Sequence, residues 1–242
     1  MPRLLASARL AIPLLVLPLA AQAATEVGSA AAVRNDVRGT VVGPMSTGSP
    51  VHQTETVSAG VDSSAQLLFR DKTSLTLGPT SQVTIDKFVY DPSRGTGEAA
   101  VNLVKGALRF VSGSQSPENY SVRTPLASMG VRGSVAETYV SELGYEFFLL
   151  IEGGIEVCVA RDCRQLTTPG QYVIVSPDRR ISPPTPWPGP MLDLTASVDF
   201  LHTFFSSRLE RGNDVLPRYR DLNEATESQS FTPPCFGEGC PP

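Results

Sequence analysis

The sequence predicts an all-β domain with a solenoid-like or jelly-roll core, followed by a C-terminal amphipathic helix. Three observations carry the β assignment. Between Val27 and Val175 short runs alternate apolar and polar residues, the period of a half-buried strand. Turn residues interrupt those runs at the regular spacing of sandwiches and barrels, about 8–12 residues. The 20 Gly and 21 Pro suit many short strands joined by turns better than they suit helices.

Taken in order, the chain opens on a secretory pattern. Arg3 and Arg9 precede an apolar stretch from Leu10 to Leu19, and Ala21-Gln22-Ala23 supplies a small-residue cleavage site. Residues 1–23 are therefore expected to be removed, leaving a mature chain that begins at Ala24 and is periplasmic or secreted. The apolar stretch is shorter than the roughly 20 residues that cross a bilayer. No other run approaches that length, so no membrane span is expected in the mature chain.

Residues 24–181 form the expected β domain. Strands are predicted at 66–69, 74–77, 82–86, 87–90, 101–104, 108–111, 121–123, 135–140, 147–151, 155–160 and 172–175. Asp71-Lys72-Thr73 and Gly78-Pro79-Thr80-Ser81 punctuate the early ones as turns. The succession from Val51 to Ile85 reads as rungs, which is the reason for a solenoid-like expectation. Asp91-Pro92-Ser93-Arg94-Gly95-Thr96-Gly97-Glu98 reads as an exposed hairpin connection. It is not a phosphate cradle, because no Gly-Lys-Ser/Thr follows to open a helix.

Residues 182–190, rich in proline around Trp187, predict a stiff extended connector lying along the domain. Residues 191–212 predict a helix: Leu194, Val198, Leu201 and Phe205 recur on one face, with Phe204 alongside. Asp193 or Thr195 can cap its start, Arg208 and Arg211 suit its C-terminal dipole, and Gly212 can end it. Such a helix is expected to pack back on its own domain. The polar tail, 213–242, is expected to be disordered apart from a small cysteine-closed loop.

The four cysteines fall into two close pairs, Cys158 with Cys163 and Cys235 with Cys240. In an exported chain that spacing reads as disulfides, and local pairing is favoured because each pair brackets a turn. A zinc site needs four ligands, and the two histidines, His52 and His202, have no ligand-like spacing, so neither metal nor cofactor is expected.

The most specific segment is Thr124-Pro125-Leu126-Ala127-Ser128-Met129-Gly130-Val131-Arg132-Gly133-Ser134. Pro125 pre-sets its own φ and cannot donate to a ladder, while Gly130 and Gly133 admit angles that a side chain forbids. It reads as a strand that ends, turns and restarts. Arg132, held in that turn at the edge of an apolar surface, either satisfies nearby carbonyls or grips a partner's carboxylate, and Glu152 is its candidate internal partner. Gly106-Ala107-Leu108-Arg109-Phe110 precedes the segment and Glu152-Gly153-Gly154-Ile155-Glu156-Val157 follows it. In this order and spacing the three segments resemble the FecR domain, whose pattern is a G-x-L-x-F strand, a T-P-x-A-x-x-x-V-R-G-T turn and an E-G-x-V-x-V hairpin. Ser134 stands where that pattern has Thr.

The resemblance implies an all-β periplasmic module that senses an outer-membrane receptor and signals, through a membrane regulator, to a sigma factor. Relative to that plan the chain carries a cleavable signal in place of a cytoplasmic helical segment and a membrane-spanning helix. It is therefore expected to act through another envelope protein, a membrane sensor or an outer-membrane receptor. The turn residues Thr124, Pro125, Gly130, Arg132 and Gly133 are the candidate partner-binding or structural site. A structural or glycan-binding envelope protein is the alternative.

Enzyme signatures are missing from the sequence: it has no Gly-x-Ser-x-Gly elbow and no His-Glu-x-x-His. No catalysis is expected. After loss of Arg3 and Arg9, 18 basic residues face 24 acidic ones, the opposite of a nucleic-acid binder's balance.

Overall fold

The computed structural model describes residues 24–91 and 96–187. The expected signal peptide, the helix at 191–212, His202 and the Cys235/Cys240 pair lie outside them. In chain order the strands are β1 (Glu26–Arg34), β2 (Val37–Gly39), β3 (Gly43–Pro44), β4 (Pro50–His52), β5 (Thr56–Ala59), β6 (Ser64–Phe69), β7 (Ser74–Leu77), β8 (Gln82–Asp91), β9 (Thr96–Val111), β10 (Tyr120–Arg123), β11 (Ser128–Val140), β12 (Glu146–Val159), β13 (Asp162–Leu166), β14 (Gln171–Val175) and β15 (Thr185–Pro186). The described residues are all-β, with a single 3₁₀ turn, Pro117–Asn119, and no α-helix among them.

The strands form two layers joined through three long ones. The first layer runs β4-β1-β6-β7, continues through the C-terminal half of β9 and of β11 and the N-terminal half of β12, and ends in β14 and β15. The second runs β3-β2-β5-β8 and continues through the other halves of β9, β11 and β12, with β10 between β9 and β11 and with β13 at the far edge. All pairings are antiparallel except that of β9 with β10.

Each long strand changes layer at a glycine with positive φ: Gly106 (80°) in β9, Gly133 (60°) in β11 and Gly153 (79°) in β12. At two of these a side chain is barred by space as well as by angle. A Cβ on Gly106 would sit 2.5 Å from the Ser81 Cα, and one on Gly153 would sit 2.4 Å from the Gly133 carbonyl oxygen. These glycines bend strands without ending them. That is why the separately expected strands 101–104 and 108–111 are one strand, and likewise 147–151 and 155–160. Segments 82–86 and 87–90 are also one strand, with a register shift between Ile85 and Lys87.

The stretch from Val51 to Ile85 does not stack as rungs. β6 and β7 form a hairpin, and β5 passes it to pair with β8 in the other layer. The hairpin connection expected at 91–98 is narrower than its composition suggests, because Asp91 already pairs with Thr96 and Tyr90 with Gly97.

The core lies between the layers. Leu67, Leu75, Leu77, Leu108, Phe110, Phe148 and Val173 face it from the first, and Val57, Val83, Ile85, Val122, Met129 and Val157 from the second. Contacts across the gap are direct: Phe69 stacks on Phe88 with ring centroids 5.0 Å apart, and Phe110 meets the edge of Tyr120 at 5.7 Å.

Buried carboxylates tie the loops to this frame. Glu55 Oε1 accepts hydrogen bonds from Val41 N and Val42 N, and its Oε2 accepts one from His52 N at 2.9 Å, with His52 Nδ1 at 3.3 Å. His52 is thereby a structural residue. Glu137 accepts from Arg109 Nε at 2.8 Å and Nη2 at 2.5 Å, a direct cross-strand pair.

Candidate protein-binding face

The T-P turn connects β10 to β11 inside the second layer. Thr124 N donates to the Ala127 carbonyl at 2.9 Å, and Ala127 N donates to Thr124 Oγ1 at 3.1 Å, closing a tight four-residue turn. Glu146, the first residue of β12, fastens it from the core side. Its Oε2 accepts from Thr124 Oγ1 at 2.5 Å and its Oε1 from Leu126 N at 2.9 Å. Burial holds the Glu146 carboxyl above its ordinary pKa, against the opposing pull of the bonds from Thr124 and Leu126. The neutral form also resolves a shortage of protons. Thr124 Oγ1 has one hydrogen and two acceptors in reach, Glu146 and the Ala127 carbonyl; a protonated Glu146 can donate to Thr124 and leave that hydrogen for Ala127.

A pH dependence follows. The folded protein binds the Glu146 proton more tightly than the unfolded chain does, so this group's contribution to stability is greatest at low pH. It falls as pH rises from the ordinary carboxylate value through the raised folded one, then levels off. Melting temperatures of wild type and Glu146→Gln, measured from about pH 4 to 8, are expected to converge at the acidic end. Toward neutral pH the wild type is expected to lose stability relative to the variant. Parallel pH profiles would contradict the assignment.

Past the turn the structure departs from the sequence reading. The strand does end, turn and restart, but earlier than the strand expected at 135–140: only residues 124–127 turn, and β11 is continuous from Ser128. Gly130 has no positive φ and lies on an open face, with no atom within 4 Å of where a Cβ would stand, whereas Gly133 marks the corner. Arg132 is neither buried nor clasped by carbonyls. Its side chain is 63% exposed, and the nearest carboxylate is Glu156 at 3.9 Å rather than Glu152. The reason is local parity: Met129 and Val131 point into the core, so Gly130 and Arg132 must point out.

Arg132 therefore stands on the outward face of the second layer. One row across that face reads Thr56, Thr84, Asn102, Arg123, Ser128, Cys158 and Cys163, strand beside strand. The next holds Ser121, Gly130, Glu156 and Gln165. The side chains are mostly polar and hydrogen-bonded within the face: Arg123 pairs with Asp86 at 2.8 Å, and Gln165 Nε2 donates to Glu156 at 3.1 Å. Cys158 and Cys163 form a disulfide across the β12–β13 hairpin at the rim.

Such a polar, hydrogen-bonding face suits contact with another folded surface. Among the described residues no three His, Cys, Asp or Glu side chains converge to hold a metal. Sequence reasoning anticipated the turn and the Cys158–Cys163 pair and singled out Arg132 as a candidate, but it missed Glu146. The only signal for it was a charge placed directly before the apolar run Phe147-Phe148-Leu149-Leu150-Ile151.

Residues 55–156 match the family model described as FecR protein. Two crystal structures of a protein assigned as an anti-sigma factor from Parabacteroides distasonis ATCC 8503 are similar, at 19% and 18% identity and a TM-score of 0.45 each. The alignment covers 55% of this chain and 59% of those, so the chain spans about three-fifths of their length. No curated protein matches the sequence.

Proposed function

We propose, from the premise that this chain carries a FecR domain over residues 55–156, that it is a non-catalytic, exported binding module in cell-envelope signalling. The partner is another envelope protein, a membrane sensor or an outer-membrane receptor. Export rests on the basic, apolar and Ala-x-Ala succession of residues 1–23. Among the described residues no helix is long and apolar enough to cross a membrane.

The observation that carries the reading is the placement of Arg132. A guanidinium offers five donors in a rigid fork, and here it stands exposed on a polar face, with one long contact to Glu156. Its donors are available to a carboxylate or to backbone carbonyls on a partner.

Arg132→Ala and Arg132→Glu are expected to weaken capture of the partner from a periplasmic extract at least tenfold, the larger loss falling on Glu. Removal of an exposed ion pair costs under about 1 kcal/mol, so the melting temperature should move by less than roughly 4 °C. Capture that is unchanged in both variants would remove this face from the function. Turnover of a substrate by the purified protein would remove the non-catalytic reading altogether.

A further inference from the structure

Over β11, β12 and β14 the outward face of the first layer is covered and largely apolar, with the Arg109–Glu137 pair at its edge. Tyr139, Leu149, Ile151 and Ile174 are 1%, 0%, 5% and 6% exposed, as buried as the core. None of the four belongs to the core cluster, which takes their neighbours Phe148, Leu150 and Val173 from the opposite side of the same strands. Register arranges them in two rows. Ala107, Tyr139, Phe147 and Ile174 lie side by side, and Arg109, Glu137, Leu149 and Tyr172 lie beside them. Phe147 stacks on Tyr139 with centroids 5.9 Å apart. A sheet with both faces buried has a layer on each side.

We propose that the covering layer is the chain's own segment 191–212, docked on this face as an amphipathic helix. The described chain leaves the domain at this spot. β15 pairs with β14, Tyr172 opposite Thr185, and Trp187 sets its ring edge-on to Tyr172 at 5.3 Å. From Trp187 to Leu194 is a reach of up to about 23 Å in extended chain. The apolar stripe from Leu194 through Val198 and Leu201 to Phe205 is about 16 Å long at helical rise. The four strands β9, β11, β12 and β14 lie three inter-strand steps apart, about 14 Å. Stripe and face match in length as well as in character.

Benzophenone cross-linking in the full chain tests this, with p-benzoylphenylalanine in place of Phe147. Irradiation is expected to give a product of monomer mass, independent of concentration, whose mapped cross-links fall within residues 191–212. Dimers that grow with concentration would assign the face to a second copy, and a cross-link to another protein in intact cells would assign it to a partner. Either result, or the absence of any cross-link to 191–212, overturns the proposal. A second measurement uses Trp187, the only tryptophan. Leu201→Asp combined with Phe205→Asp is expected to shift its emission to the red, raise its quenching by acrylamide at least twofold and create binding of a hydrophobic dye, with the far-ultraviolet β signal retained. Unchanged emission and no dye binding would likewise overturn it.

Discussion

Leu75→Asp is expected to leave no folded domain. Leu75 is fully buried in β7, opposite Leu67 on one side and Phe110 on the other, at the centre of the first layer's inner face. Loss of a buried leucine alone costs about 2–5 kcal/mol. An unpaired carboxylate at the same place costs several more, even where it escapes by taking a proton. Together these reach the whole stability of an ordinary domain, about 5–15 kcal/mol. The control lies one strand away. Leu68 points outward from β6 and is 43% exposed, so Leu68→Asp should fold and melt nearly as the wild type. Circular dichroism and thermal melts on the pair decide the matter, and a cooperative transition in Leu75→Asp would mean that the core lies elsewhere.

The same strand shows what the sequence made legible. Ser74-Leu75-Thr76-Leu77 alternates without interruption, and its inward positions are the ones that turned out buried. Alternation loses its meaning at the corners. Counting by twos from Val131 would put Val135 inside, yet the register slips around Gly133 and it is Ala136 that faces the core. A glycine that bends a strand between two layers leaves the same trace in sequence as one that ends it. This is why the motif around Arg132 read as a turn, and why nearby carbonyls and Glu152 were candidate partners for Arg132. β1 and β13 escaped for a different reason: Ser29-Ala30-Ala31-Ala32 and Asp162-Cys163-Arg164-Gln165 carry little apolar contrast between faces. The disulfide was legible because its cysteines are five positions apart and a hairpin of that size needs nothing distant to form. Buried carboxylates were not, since part of what fills their acceptors comes from far along the chain, as Gln115 and Tyr120 do for Asp71.

Asp71 is the clearest of those, and Asp71→Ala should cost the most of any polar substitution. It sits fully buried at the tip of the β6–β7 hairpin. Its Oδ1 accepts from Thr73 N at 2.9 Å, and its Oδ2 from Thr73 Oγ1 at 2.7 Å, Gln115 Nε2 at 2.8 Å and Tyr120 Oη at 3.0 Å. Tyr120 in turn accepts from Gln115 N at 2.8 Å, and burial is the first cause that raises its phenol pKa. One side chain thus joins the hairpin to the segment that leads into β10. Removing it strands several buried donors, each worth about 1–3 kcal/mol when left unpaired. A total loss of at least about 3 kcal/mol would lower the melting temperature by roughly 6–12 °C. Asp71→Asn should be milder, for a reason visible in the cluster. Gln115 Oε1 is buried with no hydrogen-bond partner among the described residues, so a flipped Gln115 amide can accept from the new amide at position 71. Urea denaturation should therefore rank the proteins as wild type, then Asn, then Ala. Equal stability of wild type and the alanine variant would show that the hairpin tip holds without this cluster.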